Sequence, residues 1–178
     1  MLGRVLQAIR LRFATLRALR GARAHSREVL RRANIQRVLV LCYGNIYRSP
    51  FVAQLLRDTT TCEVRSAGFH PKEGRASPDT HVSMSAGLGV QLAGHRSARV
   101  KAEDIEWADI VVLMDRHNWA RLHVMGAPES KVVWLGALLD GAVEIEDPYG
   151  LPEEKIREIL DRLRMATFAL RGVGHTQG

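Results

Sequence analysis

Val38-Leu39-Val40-Leu41-Cys42-Tyr43-Gly44-Asn45-Ile46-Tyr47-Arg48-Ser49-Pro50 runs from an apolar segment through a short polar loop, and Phe51-Val52-Ala53-Gln54-Leu55-Leu56 continues at helical spacing. A strand, a tight loop and a helix in that order aim backbone N–H groups and the positive end of a helix dipole at an anion. Cys42 stands at the mouth of this loop and Arg48 at its far end. Loop amides, helix N-terminus and guanidinium together favour the thiolate, the nucleophilic form of cysteine. Arg48 offers a planar fork that grips two oxygens of a tetrahedral oxyanion, which a lysine point charge does not match. Gly44 and Asn45 are residue types that tolerate the left-handed backbone expected where a loop curls around a dianion. Tyr43, Ile46 and Tyr47 complete the anion's seat, and the Ser49 hydroxyl is placed to donate to the sulfur when it later departs. The pattern points to phosphate-ester chemistry through a covalent cysteinyl intermediate. The plainer alternative is a buried core thiol beside a surface arginine.

Such a route needs an acid to protonate the leaving oxygen. Asp147, in Glu144-Ile145-Glu146-Asp147-Pro148-Tyr149, is the candidate. Neighbouring Glu144 and Glu146, with partial burial, would favour its protonated form. Pro148 restrains Asp147 to an extended backbone, and Tyr149 offers an aromatic wall for a flat substrate group. An acidic turn ahead of a helix remains the alternative reading of the same residues.

Around these motifs, strand and helix signals alternate. Strands are predicted at 38–41, 63–66, 110–114 and 131–135. Helices are predicted at 49–58, 78–88 (opening after a Ser77 cap), 101–107, 115–124 and 151–170, with a Gly- and Pro-containing loop at 71–77. Ile156, Ile159, Leu160, Leu163 and Phe168 form the expected core stripe of the last helix. The alternation predicts an α/β fold, a four-stranded parallel sheet with helices on both faces. In such folds ligands bind outside the carboxyl ends of the strands, and both Cys42 and Asp147 follow predicted strands.

The chain has 178 residues, enough for one domain and an extension. Its two cysteines, Cys42 and Cys62, give no disulfide framework, and a thiolate nucleophile prefers a reducing compartment. No stretch approaches the roughly 18 apolar residues of a membrane span. Charge is segregated: residues 1–36 hold nine arginines and one acid, Glu28, leaving 17 basic and 18 acidic side chains for the rest. We therefore divide the chain into an Arg-rich amphipathic extension, 1–36, and a catalytic domain, 37–174. Leu2, Val5, Leu6, Ile9, Phe13 and Leu16 share one helical face, with Arg4, Arg10 and Arg17 on its flanks or opposite. Arg20 and Arg23 intrude, so the pattern is expected to fade near Gly21. A basic amphipathic helix suits an anionic membrane surface or an acidic partner. Arginines interrupt any secretory h-region, whereas an organelle transit peptide is likewise Arg-rich and acid-poor. A tail without a role is a third reading. Nucleic acid is not expected as a partner, since no aromatic stacking pattern accompanies the arginines.

With the Cys42 loop early and Asp147-Pro148-Tyr149 late, the chain resembles the low-molecular-weight protein tyrosine phosphatases over about residues 37–170. That family's signature is Cys-x-Gly-Asn-x-Cys-Arg-Ser-Pro. Ser66-Ala67-Gly68, Gly94-His95-Arg96-Ser97 and Met114-Asp115 add to the likeness, the first two in the manner of the bacterial branch. The resemblance implies a flavodoxin-like three-layer sandwich in which Cys42 attacks phosphorus, Arg48 and the loop amides hold the equatorial oxygens, and Asp147 is the general acid. It implies that Asn45 organises the loop with Ser66 and His95 as hydrogen-bond partners, and that no metal or organic cofactor is used. It further implies a cytoplasmic enzyme acting on a phosphotyrosine protein such as a tyrosine autokinase of exopolysaccharide export, with peripheral contact at the inner face of the membrane open to residues 1–36. The bacterial character of the body argues against a transit peptide.

Three positions depart from the pattern. Tyr47 replaces a second cysteine that can shield the nucleophile as a disulfide, and Cys62 is expected to lie too far away to substitute for it. Oxidation of Cys42 then runs more readily to irreversible acids, and the ring of Tyr47 demands room behind the loop. Lys72 and Gly150 stand where relatives often place apolar or aromatic residues, which implies a substrate slot open on one side and more basic. Two rival readings remain. An arsenate reductase can use the same loop but needs further cysteines, where this chain has Leu113-Met114-Asp115. A non-catalytic phosphate-binding adaptor would dock through its N-terminal helix.

Overall fold

Four strands, β1 (Arg37–Cys42), β2 (Glu63–Gly68), β3 (Ile110–Leu113) and β4 (Val132–Trp134), form one parallel sheet in the order β2-β1-β3-β4 in the computed structural model. The structure describes residues 2–174, with side chains for 3–172. β1 and β3 are apolar along nearly their whole length because both of their faces are covered. Val38, Val40 and Cys42 face a layer made by α2 (Arg48–Thr59), α3 (Asp79–Gly87) and α6 (Glu153–Gly174). Leu39 and Leu41 face α1 (Leu2–Arg32), α4 (Ala102–Trp107) and α5 (Arg116–Val124). This is the expected flavodoxin-like, three-layer arrangement. The chain leaves β1 for β2 on one side and returns to β3 on the other, so a crevice opens between the carboxyl ends of β1 and β3. Such a switch point is where open α/β sheets bind ligands.

The closing stripe of α6 differs from expectation at one place. Ile156, Ile159, Leu160 and Leu163 are buried, but Phe168 is 42% exposed, and Ala166, Thr167 and Leu170 continue the inner face. Five residues separate Leu163 from Phe168, which at 3.6 residues per turn carries Phe168 off the stripe. The Ser77 cap does not form: Pro78 occupies the N-cap of α3, and the Ser77 hydroxyl is buried with no hydrogen-bond partner among the described residues. The fourth strand stops at Trp134, and Leu135–Leu138 turns into a 3-10 helix.

The largest correction concerns the N-terminus. The outward apolar pattern does stop before Gly21, but the helix runs on: α1 is one helix of 31 residues, and it packs on the body rather than standing apart as an extension. A second face, running from Leu11, Ala14, Ala18 and Leu19 to the buried Ala22, Ser26, Val29 and Leu30, packs on the body. Arg23 donates to the carbonyls of Ala137, Leu139 and Gly141, and the Ser26 hydroxyl accepts from the Trp134 N–H at 3.0 Å. The predicted apolar face is real in its first turns but points outward: Val5, Leu6, Ile9 and Phe13 are exposed. The Leu2 side chain lies outside the described residues. Among the described residues no helix is long and apolar enough to cross a membrane.

Candidate active site

Residues 43–47 curl from the end of β1 into the first turn of α2, which brings Cys42 and Ser49 together. The Cys42 sulfur lies 3.0 Å from the Ser49 hydroxyl and accepts the Asn45 backbone N–H at 3.2 Å. Asn45 is the residue that adopts the left-handed conformation, at φ 51°. Gly44, expected to share that role, does not; a Cβ there would meet the Ile46 side chain at 3.3 Å. The Asn45 side-chain amide donates to Ser49 and Ser66, and its oxygen accepts the Ala98 N–H. The Asn45 carbonyl accepts from His95 Nε2 at 2.7 Å. Burial, with Arg57 and Arg96 nearby, holds His95 below the ordinary histidine pKa despite that bond. Ser66 and His95 thus both bond to Asn45, through its side-chain amide and its carbonyl. Underneath, Gly68 at the end of β2 lets the loop approach, since a Cβ there would stand 2.6 Å from the Tyr43 carbonyl.

Arg48 is 1% exposed. Its Nη1 donates to Asp115 at 2.6 Å and to the Ile145 carbonyl at 2.9 Å, and its Nη2 donates to Asp147. Burial opposes its charge, but Cys42, Asp147 and Asp115 outweigh that and hold it above the ordinary arginine pKa. Asp147 therefore meets a cation in place of the acidic neighbours expected from the sequence. Glu144 is turned away into a pair with Arg116 at 2.9 Å, because Arg116 opens the adjacent helix. Cys42, Tyr43, Gly44, Ile46, Tyr47, Asp147 and Tyr149 line one cleft of about 450 Å³ together with His70 and Arg75.

A profile of the low molecular weight phosphotyrosine protein phosphatases matches residues 37–172, from the first residue of β1 almost to the end of α6. The chain belongs to that family. It is 32% identical over 133 residues to the low molecular weight protein-tyrosine-phosphatase Etp of Escherichia coli K12, covering 73% of this chain and 88% of Etp. It is 34% identical over 131 residues to a protein-arginine-phosphatase of Geobacillus stearothermophilus, covering 71% and 88% of the two chains. Among solved structures, the tyrosine phosphatase Wzb of Escherichia coli K30, in complex with sulphate, superposes with a TM-score of 0.72 at 25% identity, covering 78% of this chain and 96% of Wzb. Membership makes the chain a phosphatase.

Seen as a low molecular weight phosphatase, the chain has further residues at the site, beside His70, to which its sequence assigned no role. Asp115 holds Arg48 from the N-cap of α5, where its other oxygen accepts the Asn118 N–H. Arg75 donates to the Gly44 carbonyl at 2.5 Å and supplies the basic wall expected of Lys72. Lys72 does not line the cleft, though its backbone N–H donates to Nδ1 of His70, which does. The Arg121 guanidinium lies 4.9 Å from the Tyr43 ring centre. His81 reaches from α3 and donates its Nε2–H to the Tyr47 carbonyl at 3.0 Å, with the two ring centres 4.7 Å apart. Burial drives His81 down to about 4, while burial, Asp147 and Tyr149 raise Tyr47. Tyr47 accordingly lines the cleft, with His81 in the room behind it. Cys62 precedes β2 at the amino end of the sheet, roughly 17 Å of strand from Cys42, and both thiols are free.

Proposed function

We propose that the chain hydrolyses phosphotyrosine in protein substrates through a phosphorylated Cys42. The observation that carries this reading is one cleft holding the Cys42 sulfur, the buried Arg48 fork behind it, and Asp147 beside Tyr43, Tyr47 and Tyr149. The sulfur attacks phosphorus as the ester oxygen leaves with the Asp147 proton. The loop amides from Tyr43 to Tyr47 and the guanidinium hold the equatorial oxygens. The entering phosphoryl group takes Nη2 of Arg48 from Asp147, leaving that carboxyl to carry its proton. In the second step Asp147 accepts a proton from water as it attacks phosphorus, and Ser49 donates to the departing thiolate. Asn45, Ser66 and His95 position the loop. Residues 37–174 form the phosphatase domain in this reading, and residues 1–36 an extension that meets a membrane or an acidic partner. By family analogy the substrate is a tyrosine autokinase of exopolysaccharide export, and the enzyme works in the cytoplasm, where Cys42 stays reduced.

The arginine phosphatase among the relatives raises phosphoarginine as a second substrate. The cleft favours a phenol ring: its walls are aromatic and apolar at Tyr43, Ile46, Tyr47 and Tyr149, and Arg75 repels a substrate guanidinium. The test is hydrolysis of an aryl phosphate, a phosphotyrosine peptide and phosphoarginine, with chelator and reductant present, for wild type, Cys42→Ser and Asp147→Asn. We expect turnover of the first two substrates, none with Cys42→Ser, and a drop of about 10²–10⁴-fold with Asp147→Asn where the leaving group needs a proton. Wild type inactive on all three would return the chain to the adaptor reading.

A further inference from the structure

The first turns of α1 present a surface that nothing else among the described residues covers. Val5, Leu6, Ile9 and Phe13 are 54%, 49%, 46% and 70% exposed, whereas Leu11, Ala14, Ala18 and Ala22 of the same helix pack on the sheet layer. At 3.6 residues per turn the two sets face in roughly opposite directions, so the apolar stripe points away from the body. Arg12 flanks it on one side and Arg10 and Arg17 on the other, and all three are exposed. Between Gly3 and Arg27 there are seven arginines and no Asp or Glu.

An apolar stripe rimmed on both sides by arginines is the pattern of a helix lying in a bilayer interface, with its apolar residues at the acyl boundary and its cations among headgroups. A second copy of this chain would set arginines against arginines, and the rest of the molecule, with 17 basic and 18 acidic side chains, offers little to offset them. We infer that residues 3–17 dock the protein on an anionic lipid bilayer, with Val5, Leu6, Ile9 and Phe13 inserted and Arg10, Arg12 and Arg17 contacting lipid phosphates. The mounting is rigid, because Arg23 and Ser26 fasten the same helix to the end of β4. Leu11 shares a groove with Phe69 and Arg121, and Arg121 covers Tyr43 at the mouth of the active site. The docked helix therefore runs close to the mouth of the cleft and would hold it near the bilayer, suited to membrane-anchored phosphoproteins. That consequence rests on the phosphatase reading; the docking itself does not.

The test is co-sedimentation of the full chain with vesicles of phosphatidylcholine alone and of phosphatidylcholine containing a minority of phosphatidylglycerol, alongside aryl phosphate turnover in solution. We expect binding to the anionic vesicles that weakens with salt, a loss of roughly fivefold per arginine for Arg10→Gln and Arg17→Gln, and abolition by Ile9→Glu with Phe13→Glu. Turnover in solution stays at the wild-type level in these variants, because the replaced side chains are exposed and outside the site. No sedimentation with anionic vesicles overturns the docking, as does binding that survives Ile9→Glu with Phe13→Glu. So does concentration-dependent dimerisation abolished by Phe13→Glu, or tight capture of polyglutamate with no vesicle binding. Vesicle binding by a protein inactive on all phosphate esters upholds the docking and defeats the phosphatase reading instead.

Discussion

Asn45 combines a left-handed backbone, φ 51°, with a side chain whose amide reaches Ser49 and Ser66 and whose oxygen receives the Ala98 N–H. Its own N–H meanwhile points at the Cys42 sulfur. Both Asn45→Ala and Asn45→Gly remove the side-chain bonds, so each is expected to lower kcat/KM for aryl phosphate at least tenfold as the loop amides lose their aim. They separate in stability: glycine adopts this φ without cost, while alanine pays about 1 kcal/mol. Urea midpoints check this, and equal midpoints would show that the backbone angle is no constraint. At this scale the site was legible where residues are consecutive. Cys42, Asn45, Arg48 and Ser49 fall within eight positions, so local chemistry alone suggested a shared task. Asp115, Arg75 and His81 were not, because their partners lie 31 to 67 residues away and only the fold brings them together. Asp147 was readable as a candidate from its Asp-Pro-Tyr setting, but its contact with Arg48 was not.

The elements that support the loop impose their own conditions. β2 ends in Gly68 directly beneath it, and a methyl group there would stand 2.6 Å from the Tyr43 carbonyl and 2.9 Å from the Asn45 nitrogen. Gly68→Ala is expected to keep the far-ultraviolet circular dichroism of the fold while lowering kcat/KM at least tenfold, since backbone on both sides leaves the loop as the part that moves. A fully active Gly68→Ala would mean the loop shifts without consequence. α3 supports the opposite side through His81, which is buried and neutral with a pKa of about 4. Between pH 6.5 and 4 the unfolded chain binds a proton at this histidine and the folded chain does not, so stability is full above 6.5 and drains as pH falls. From pH 7 to 5 the loss attributable to His81 is about 2 kcal/mol. Urea unfolding of wild type and His81→Gln at both pH values should show that difference in slope, and parallel slopes would refute it. Element positions were legible because the apolar runs of β1 and β3 and the stripe from Ile156 to Leu163 carry the periods of strand and helix. Phe168 misled because its hydrophobicity was counted without its phase, and Ser77 because the chain already contained a capping residue type that the structure leaves unused.

Across the whole molecule, α1 finishes a sheet that would otherwise end in an open edge. Among the described residues β4 pairs only with β3, so its outer backbone groups need partners. The Ser26 hydroxyl takes the Trp134 N–H, and Arg23 takes the carbonyls of Ala137, Leu139 and Gly141 just beyond the strand. This docking face escaped the sequence because, Leu11 apart, it is built from Ala14, Ala18, Ala22 and Ser26, small residues that let the helix approach closely but add little to any hydrophobic pattern, whereas the conspicuous Val5, Leu6, Ile9 and Phe13 lie outside. The two faces of one helix should then respond differently to substitution. Ser26→Ala strands a buried N–H and is expected to cost about 1–3 kcal/mol, or about 2–4 °C of Tm for each kcal/mol in a chain of this size. Phe13→Glu, on the outer face, should stay within about 0.5 kcal/mol of wild type. Thermal unfolding followed by tryptophan fluorescence reads both, because Trp119 and Trp134 belong to the layer that α1 covers. If Ser26→Ala melts with wild type while Phe13→Glu does not, α1 is held by its outer face and the edge of β4 is satisfied by water. If Ser26→Ala alone melts early, the Arg-rich helix is a structural part of the sheet as well as its outward contact.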